Sequence, residues 1–331
     1  MTYILSSLIP SPADDRDFPF VPHLGPYKDA IDFRPQASPV DDQGQQGSCT
    51  AESVVNGCER FSIANGIPFL DLSRQFNYYN SRKMDGQLGS EGANLRTAVH
   101  STYRHGLPPE SEWPYDPANE NTEPSPSVYA SALLRRVSRY ERIDMSGEWQ
   151  AKTQQLWAAL DEGLSVEIAM HVGQQIYAIS GFLGDQHYSP VGPGNPFIGN
   201  HAMWLAGKLP SQYGSFFTKN SWGNAWGDQG YFEIGQTILT DVFEAWAIRG
   251  FAGADPTTTA KHAWAIANPA IVAQYVNANM ANPQIIIDGA IEYALTAAEL
   301  EAIMLWPVGA VLNYSQNDPV GKTLDWRGFV F

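Results

Sequence analysis

With 331 residues, 44% of them hydrophobic and 12% aromatic, the chain is long enough for about two domains and apolar enough to bury a real core. Its 20 basic against 35 acidic residues give a net charge of −15, which repels phosphate backbones and anionic lipid and argues against nucleic acid or membrane as a partner. Two cysteines cannot build a disulfide framework, and no CxxC, HExxH or clustered His/Cys spacing supports a metal site, so neither metal nor cofactor is expected.

The opening "MTYILSSLIPSP" lacks a basic leader region and breaks at Pro10. No run approaches the roughly 20 apolar residues of a membrane span. The expectation is a soluble protein, cytoplasmic or particle-associated. Residues 1–30 are dense in Pro and Asp and suit an extended arm rather than a helix. From Cys49 to Ile63 small and apolar residues recur without Pro, predicting a buried helix that ends at Gly66-Ile67-Pro68. A second helix is expected over Ala93 to Arg104, stopped by Gly106 and Pro108-Pro109, and a polar loop over 116–127. A third, Lys152 to Glu162, runs into the strand-like "LSVEIAMHV". After residue 195 the pattern is strand and turn, in "HAMWLAGKL", "GSFFTKN" and "GYFEI". Helices first and strands later predict an α+β fold with segregated lobes.

Both cysteines lie in "VDDQGQQGSCTAESVVNGCE". With Ser48 near the N-cap, Cys49 falls in the first helical turn, where unpaired N–H groups and the macrodipole favour negative charge and lower a thiol pKa. Gly44 and Gly47 would let the backbone pass close to whatever the sulfur attacks. Cys58, nine residues on, points to the opposite face roughly 13 Å away along the axis, so it cannot bridge Cys49 and suits core packing.

Further along, "GNHAMWLAGK" places His201 before an apolar strand, and "FFTKNSWGNAWGDQGYFEI" places Asn220 at a strand end, followed by Trp222 and Trp226. Together with "PVDDQGQQGSC", this constellation resembles the papain-like cysteine peptidases, from about Asp29 to Gly250. "LSRQFNYYNSRK" and "HGLPPESEWPY" are similar to segments of bacterial and viral members. The resemblance implies a two-lobed fold, with a helical lobe carrying Cys49 and a β-barrel-like lobe carrying His201 and Asn220. It implies Cys49 as nucleophile, His201 as general base and later acid, and Asn220 as the group orienting the imidazole. It further implies Gln43 as an oxyanion donor beside the Cys49 N–H, and Trp222 as a cover over the Asn–His hydrogen bond. For substrate it implies a backbone contact at Gly92 and a pocket lined by Ala202 and Glu167, the latter favouring a basic or polar side chain. A peptide or protein is then the expected substrate, and a cysteine endopeptidase the expected activity. A papain-fold binding subunit whose cleft is blocked by the N-terminal arm or the C-terminal extension, in a phage particle or similar assembly, and an amidase acting on cell-wall peptide are the alternatives.

The chain also departs from that pattern. Gln46 stands where the family has a cleft-side cysteine, Thr50 where an aromatic follows the nucleophile, and Glu52 where a large apolar residue is usual. A carboxylate three residues from Cys49 would raise the thiol pKa if it approached the sulfur. No long helical inhibitory segment is expected before Gln43, only a short arm. Residues 251–331 match no family pattern. Asn268-Pro269 and the capping box Thr296 to Glu299 predict helices, and "QIIIDG" and "GAVLNYS" strands, in a small extension suited to docking into an assembly.

Overall fold

The computed structural model describes residues 8–14, 17–210 and 214–251, and the backbone of two paired strands, Val311–Leu312 and Leu324–Asp325. The first of these falls in "GAVLNYS"; the helices expected at Asn268 and Thr296, and "QIIIDG", lie outside the described residues.

The expected α+β division holds. A helical lobe contains α1 (Cys49–Ala64), α2 (Arg74–Met84), α3 (Leu95–His105) and the short α4 (Pro126–Ala132). A sheet lobe contains β1 (Ile31–Asp32), β2 (Val137–Ile143), α5 (Trp149–Asp161), β3 (Ser165–Gly173), β4 (Phe197–Lys208), β5 (Phe216–Lys219), β6 (Tyr231–Ile234) and β7 (Val242–Phe251). The strands pair antiparallel in the order β2-β7-β3-β4-β5-β6, with β1 added to β4. The sheet is open; the barrel-like lobe does not close into a barrel.

Local chemistry accounts for the helix boundaries. Ser73 and Asn94 cap α2 and α3 by accepting hydrogen bonds from the N–H groups of Phe76 and Thr97, at 3.1 and 2.8 Å. Helix α1 ends at Asn65-Gly66 ahead of Pro68, as its sequence predicts. Helix α4 lies partly within the stretch expected as loop, because Pro126 occupies its first turn, where a missing N–H costs nothing. The arm, in its described residues 8–14 and 17–30, forms neither helix nor strand beyond a single bridge from Pro19 to Arg142.

Period two along β3 divides the protein into two cores. Val166, Ile168 and Met170 face one cluster, with Leu156, Ala159 and Leu160 of α5. Ala169 joins a second cluster with Cys49, Val54, Val55 and Cys58 of α1, Leu95 and Val99 of α3, and Trp246 of β7. Helix α1 therefore lies between the lobes with nearly every side chain buried. Its close approach to β3 requires Gly57, where a Cβ would stand 2.2 Å from Ser165 Oγ and 2.3 Å from Glu167 Oε1.

Helix α2 is buried although its sequence is polar, and ionic pairing makes this possible. Arg74, 5% exposed, reaches Asp41 (2.8 Å), Glu52 (3.0 Å), Glu59 (3.1 Å) and Asp71 (2.7 Å). Burial pushes the carboxyls of Glu52 and Glu59 upward, and Arg74 opposes that shift. A guanidinium with five donors can serve several carboxylates at once, whereas removing it would strand them in the interior.

Candidate active site

The two lobes meet at the start of α1. Cys49 is its first residue, and Ser48 holds the N-cap position, as expected. Ser48 does not cap with its side chain; its hydroxyl lies 3.2 Å from Glu52 and 2.8 Å from the Tyr115 hydroxyl. From the sheet lobe, the backbone N–H of Ala202 donates to Cys49 Sγ at 3.3 Å. The thiol thus faces an amide N–H besides the positive end of α1, and both favour a sulfur anion.

His201 precedes that amide on β4. Its Nε2 lies 2.7 Å from Asn220 Oδ1, and the same oxygen accepts the Ser221 N–H at 2.8 Å. The second bond fixes which end of the amide faces the ring, so Nε2 carries the proton and Nδ1 the lone pair. Nδ1 is buried and has no hydrogen-bond partner among the described residues. Trp222 covers this pair, its ring 5.0 Å from the imidazole, with Trp226 edge-on at 5.3 Å and Tyr177 stacked at 5.8 Å. Burial alone drives the His201 pKa down to about 4, against the smaller opposing effect of Asn220, so the imidazole is neutral at pH 7.

Gln43 enters from the segment before α1 and is fully buried. Its Nε2 donates to Gln46 O at 2.9 Å, its Oε1 accepts from Ser221 Oγ at 2.6 Å, and its carbonyl accepts from Tyr115 at 2.9 Å. Gly44 turns the chain here at φ +56°, a conformation glycine adopts without strain. One Nε2 hydrogen is committed to Gln46, which leaves the other for a ligand oxygen.

Glu52 is engaged by Arg74 at 3.0 Å and by the Ser48 hydroxyl at 3.2 Å. Cys58 is a free, fully buried thiol whose pKa burial pushes well up, as suits an inert core residue.

One expected substrate contact is corrected. Glu167 does not line the cleft. It is fully buried beneath the middle of α1, accepts from Ser165 Oγ at 2.7 Å, and has its pKa raised by burial to about 8. Ala169, two residues further along the same face of β3, stands in register with Ala202. The Gly92 N–H donates to the Tyr78 hydroxyl at 3.0 Å, so a backbone contact to substrate at Gly92 would be made by its carbonyl.

The Glu167 placement has a measurable consequence. An acid whose folded pKa is raised contributes stability fully below its unfolded value, near pH 4.5, and loses it as pH rises toward 8. Glu167→Gln keeps the Ser165 bond and never ionises. Urea unfolding at pH 5 and pH 8 should show the variant gaining about 2–4 kcal/mol on the parent between the two.

The N-terminal arm, one of the two segments expected to block the cleft in the binding-subunit alternative, lies in it. Leu8 of the arm, 3% exposed, packs into the apolar cluster of Cys49, Ala169, Ala202 and Trp246. Its carbonyl accepts from Asn200 Nδ2 at 3.0 Å, beside His201, while the Ile9 N–H reaches the Ala93 carbonyl at 3.4 Å on the opposite lobe. Ser11 then bonds Glu244 through both its N–H (3.1 Å) and its hydroxyl (2.5 Å). Beyond it, Asp14 and Asp17 pair with Arg96 at 2.7 and 2.6 Å. The arm spans the cleft, and Cys49 and His201 are both 0% exposed.

The sequence comparisons agree with this geometry. The family model described as papain family cysteine protease matches residues 27–242. A peptidase C1-like protein of Acanthamoeba polyphaga mimivirus is 28% identical over 218 residues, covering 62% of this chain and 67% of its own. Cysteine proteinase 1 of Entamoeba histolytica is 27% identical over 218 residues, and the match spans 62% of each, less than two thirds of the relative's length. Among solved structures, xylellain, a cysteine protease from Xylella fastidiosa, superimposes with a TM-score of 0.64 at 26% identity, over 75% of this chain and 98% of its own. A digestive procathepsin L 3 of Tenebrio molitor shares the fold at a TM-score of 0.56 and 21% identity. With the thiol at a helix start, the imidazole oriented by an asparagine and the family model matched across both lobes, the chain belongs to the papain family of cysteine proteases.

Proposed function

We propose that this chain is a cysteine endopeptidase working through an acyl-enzyme on Cys49, and that the described structure is its closed form. The observation that carries the reading is the His201 ring, held by Asn220 with its lone pair on Nδ1 next to the amide that touches Cys49 Sγ. In the open form Nδ1 takes the thiol proton, and the thiolate attacks the scissile carbonyl carbon. The oxyanion is met by the Cys49 N–H at the α1 terminus and by the uncommitted Gln43 Nε2–H. The C–N bond breaks as His201 returns the proton to the leaving amine, and water hydrolyses the thioester by the reverse proton path. Trp222 keeps water from the Asn220–His201 bond.

Burial of Cys49 and His201 beneath the arm also favours a second reading, a binding subunit whose cleft stays shut. Digestion assays on a chain with a loosened arm, Leu8→Gln, separate the readings. Cleavage of casein, absent in the added Cys49→Ala variant, is the expected result. Cleavage of muropeptides alone would establish the amidase, and cleavage of neither would leave the binding subunit.

A further inference from the structure

Three short contacts join Glu52 to the turn that carries Gln43. Glu52 Oε1 lies 3.2 Å from Ser48 Oγ, Ser48 Oγ lies 2.8 Å from the Tyr115 hydroxyl, and that hydroxyl lies 2.9 Å from the Gln43 carbonyl. Each contact needs a hydrogen, and the hydroxyls of Ser48 and Tyr115 supply one apiece, a hydrogen short of the need. If Glu52 is ionised, Ser48 must donate to it. Tyr115 then either turns to Ser48 and leaves the Gln43 carbonyl, or keeps that carbonyl and meets Ser48 oxygen to oxygen. A proton on Glu52 Oε1 supplies the missing hydrogen. The acid donates to Ser48, Ser48 to Tyr115 and Tyr115 to Gln43, so every contact is a hydrogen bond running in one direction.

The charges around Glu52 agree with that count. Arg74 of α2 faces Glu52 Oε2 with its Nε at 3.0 Å, while its terminal nitrogens are committed to Asp41, Glu59 and Asp71. Lys219 of β5 brings a second cation to 3.8 Å from Asp41. Arg74 and Lys219 thus meet three inward carboxyls, those of Asp41, Glu52 and Glu59, whereas the Asp71 side chain is 52% exposed to water. A single proton balances the buried charge. Burial pushes the Glu52 pKa up to about 8, with Arg74 opposing the shift and Asp41 and Glu110 adding to it.

At the other end of the chain of contacts, the Gln43 carbonyl also accepts the Gln46 N–H at 3.1 Å, closing the turn that presents the Gln43 side chain. Tyr115 ties this turn to the helical lobe. We propose that Glu52 is a positioning residue for the oxyanion donor: as a neutral acid it holds Tyr115 on the Gln43 carbonyl through Ser48, and its ionisation loosens Gln43. The proposal rests on the peptidase reading, in which Gln43 meets the oxyanion.

The test is the affinity of a peptide aldehyde for Leu8→Gln chains at pH 6 and pH 9. Cys49 Sγ bonds to the aldehyde carbon, the C=O double bond becomes a single C–O bond, and the thiol proton ends on that oxygen, which faces Gln43; no peptide bond is cut. At pH 6 Glu52→Ala should weaken binding about fivefold, the loss of one buried hydrogen bond, and Glu52→Gln, whose amide N–H still donates to Ser48, should restore it. At pH 9 Glu52→Gln should bind about fivefold more tightly than the chain retaining Glu52, and adding Tyr115→Phe or Ser48→Ala should erase that advantage. Burial moves Glu110 to about 7 and Lys219 to about 8, so both titrate in this range, but they are common to every variant and cancel at one pH. Equal affinities at pH 9 overturn the proposal. So does an advantage that survives Tyr115→Phe and Ser48→Ala, as direct repulsion between the Glu52 carboxylate and the thiolate would give. Infrared difference spectra of the parent against Glu52→Gln need none of the other variants: a protonated-carboxyl stretch should be present at pH 6 and lost by pH 9, and its absence at pH 6 also overturns the proposal. Aldehyde binding needs only the thiol and the oxyanion donors, so failure of casein cleavage with these affinities intact would count against the peptidase reading and not against the role of Glu52.

Discussion

Cys49→Ala in the Leu8→Gln background abolishes peptide hydrolysis, a fall of at least about 10⁴-fold, and His201→Ala lowers it by about 10³-fold or more. The two losses are not additive, because thiol and imidazole act as one unit: without the nucleophile the base has no proton to take, and without the base the thiol is mostly protonated at neutral pH. The difference between them is diagnostic. A chain lacking Cys49 has nothing to acylate, while one lacking His201 keeps a thiol at a helix terminus with the Ala202 N–H at 3.3 Å, and regains part of its rate as pH rises. Initial rates on a peptide substrate between pH 6 and 9 check this. Recovery at high pH in Cys49→Ala would contradict it.

Leu8→Gln by itself raises hydrolysis by about two orders of magnitude over the parent chain. Leu8 is nearly fully buried, and replacing it by an amide loses apolar transfer and buries a polar group, together about 2–4 kcal/mol against the closed state. By linkage, that penalty shifts the closed–open equilibrium in the same proportion. The gain should come with an altered pH profile. In the closed form desolvation holds His201 near pKa 4, so the imidazole is almost wholly neutral between pH 6 and 8. Opening returns water to the ring, moves its pKa back toward about 6.5, and stabilises the ion pair over that range. Opening and closing are therefore linked to the His201 proton, which binds more tightly when the cleft is open. With Leu8→Gln largely open, the ratio of Leu8→Gln to parent rates should be smaller at pH 6 than at pH 8, because protonation already opens part of the parent; equal ratios would mean that opening leaves the His201 pKa unchanged.

How far the sequence showed this protein depended on whether the determinant was local. The start of α1, the presence of α3 and the strands around His201 and Asn220 follow from residues within a few positions of each other and were legible, whereas the Asn94 cap of α3 was not singled out. Helix α2 looked polar because its buried cation, Arg74, is matched by carboxylates from Asp41 to Asp71 that only the fold assembles. Strand β7, central between β2 and β3, is covered on both faces and lacks the alternation that marks a half-buried strand. Glu167 and Ala169 share one face of β3, so period two could not say which lies at the cleft and which beneath α1; the β3–β4 register decides it. The arm was read as extended, but its seat depends on Asn200, Ala93 and Glu244, distant in sequence and without any shared pattern.

The most direct test of the central claim, an activatable Cys49–His201 pair closed by the chain's own arm, is intact-mass analysis of native protein treated with a peptidyl chloromethyl ketone at pH 6. The parent should label slowly, Leu8→Gln should form a single adduct about 100-fold faster, and neither chain should label once Cys49→Ala is added. Equally fast labelling of parent and Leu8→Gln, or an adduct that survives Cys49→Ala, would contradict it.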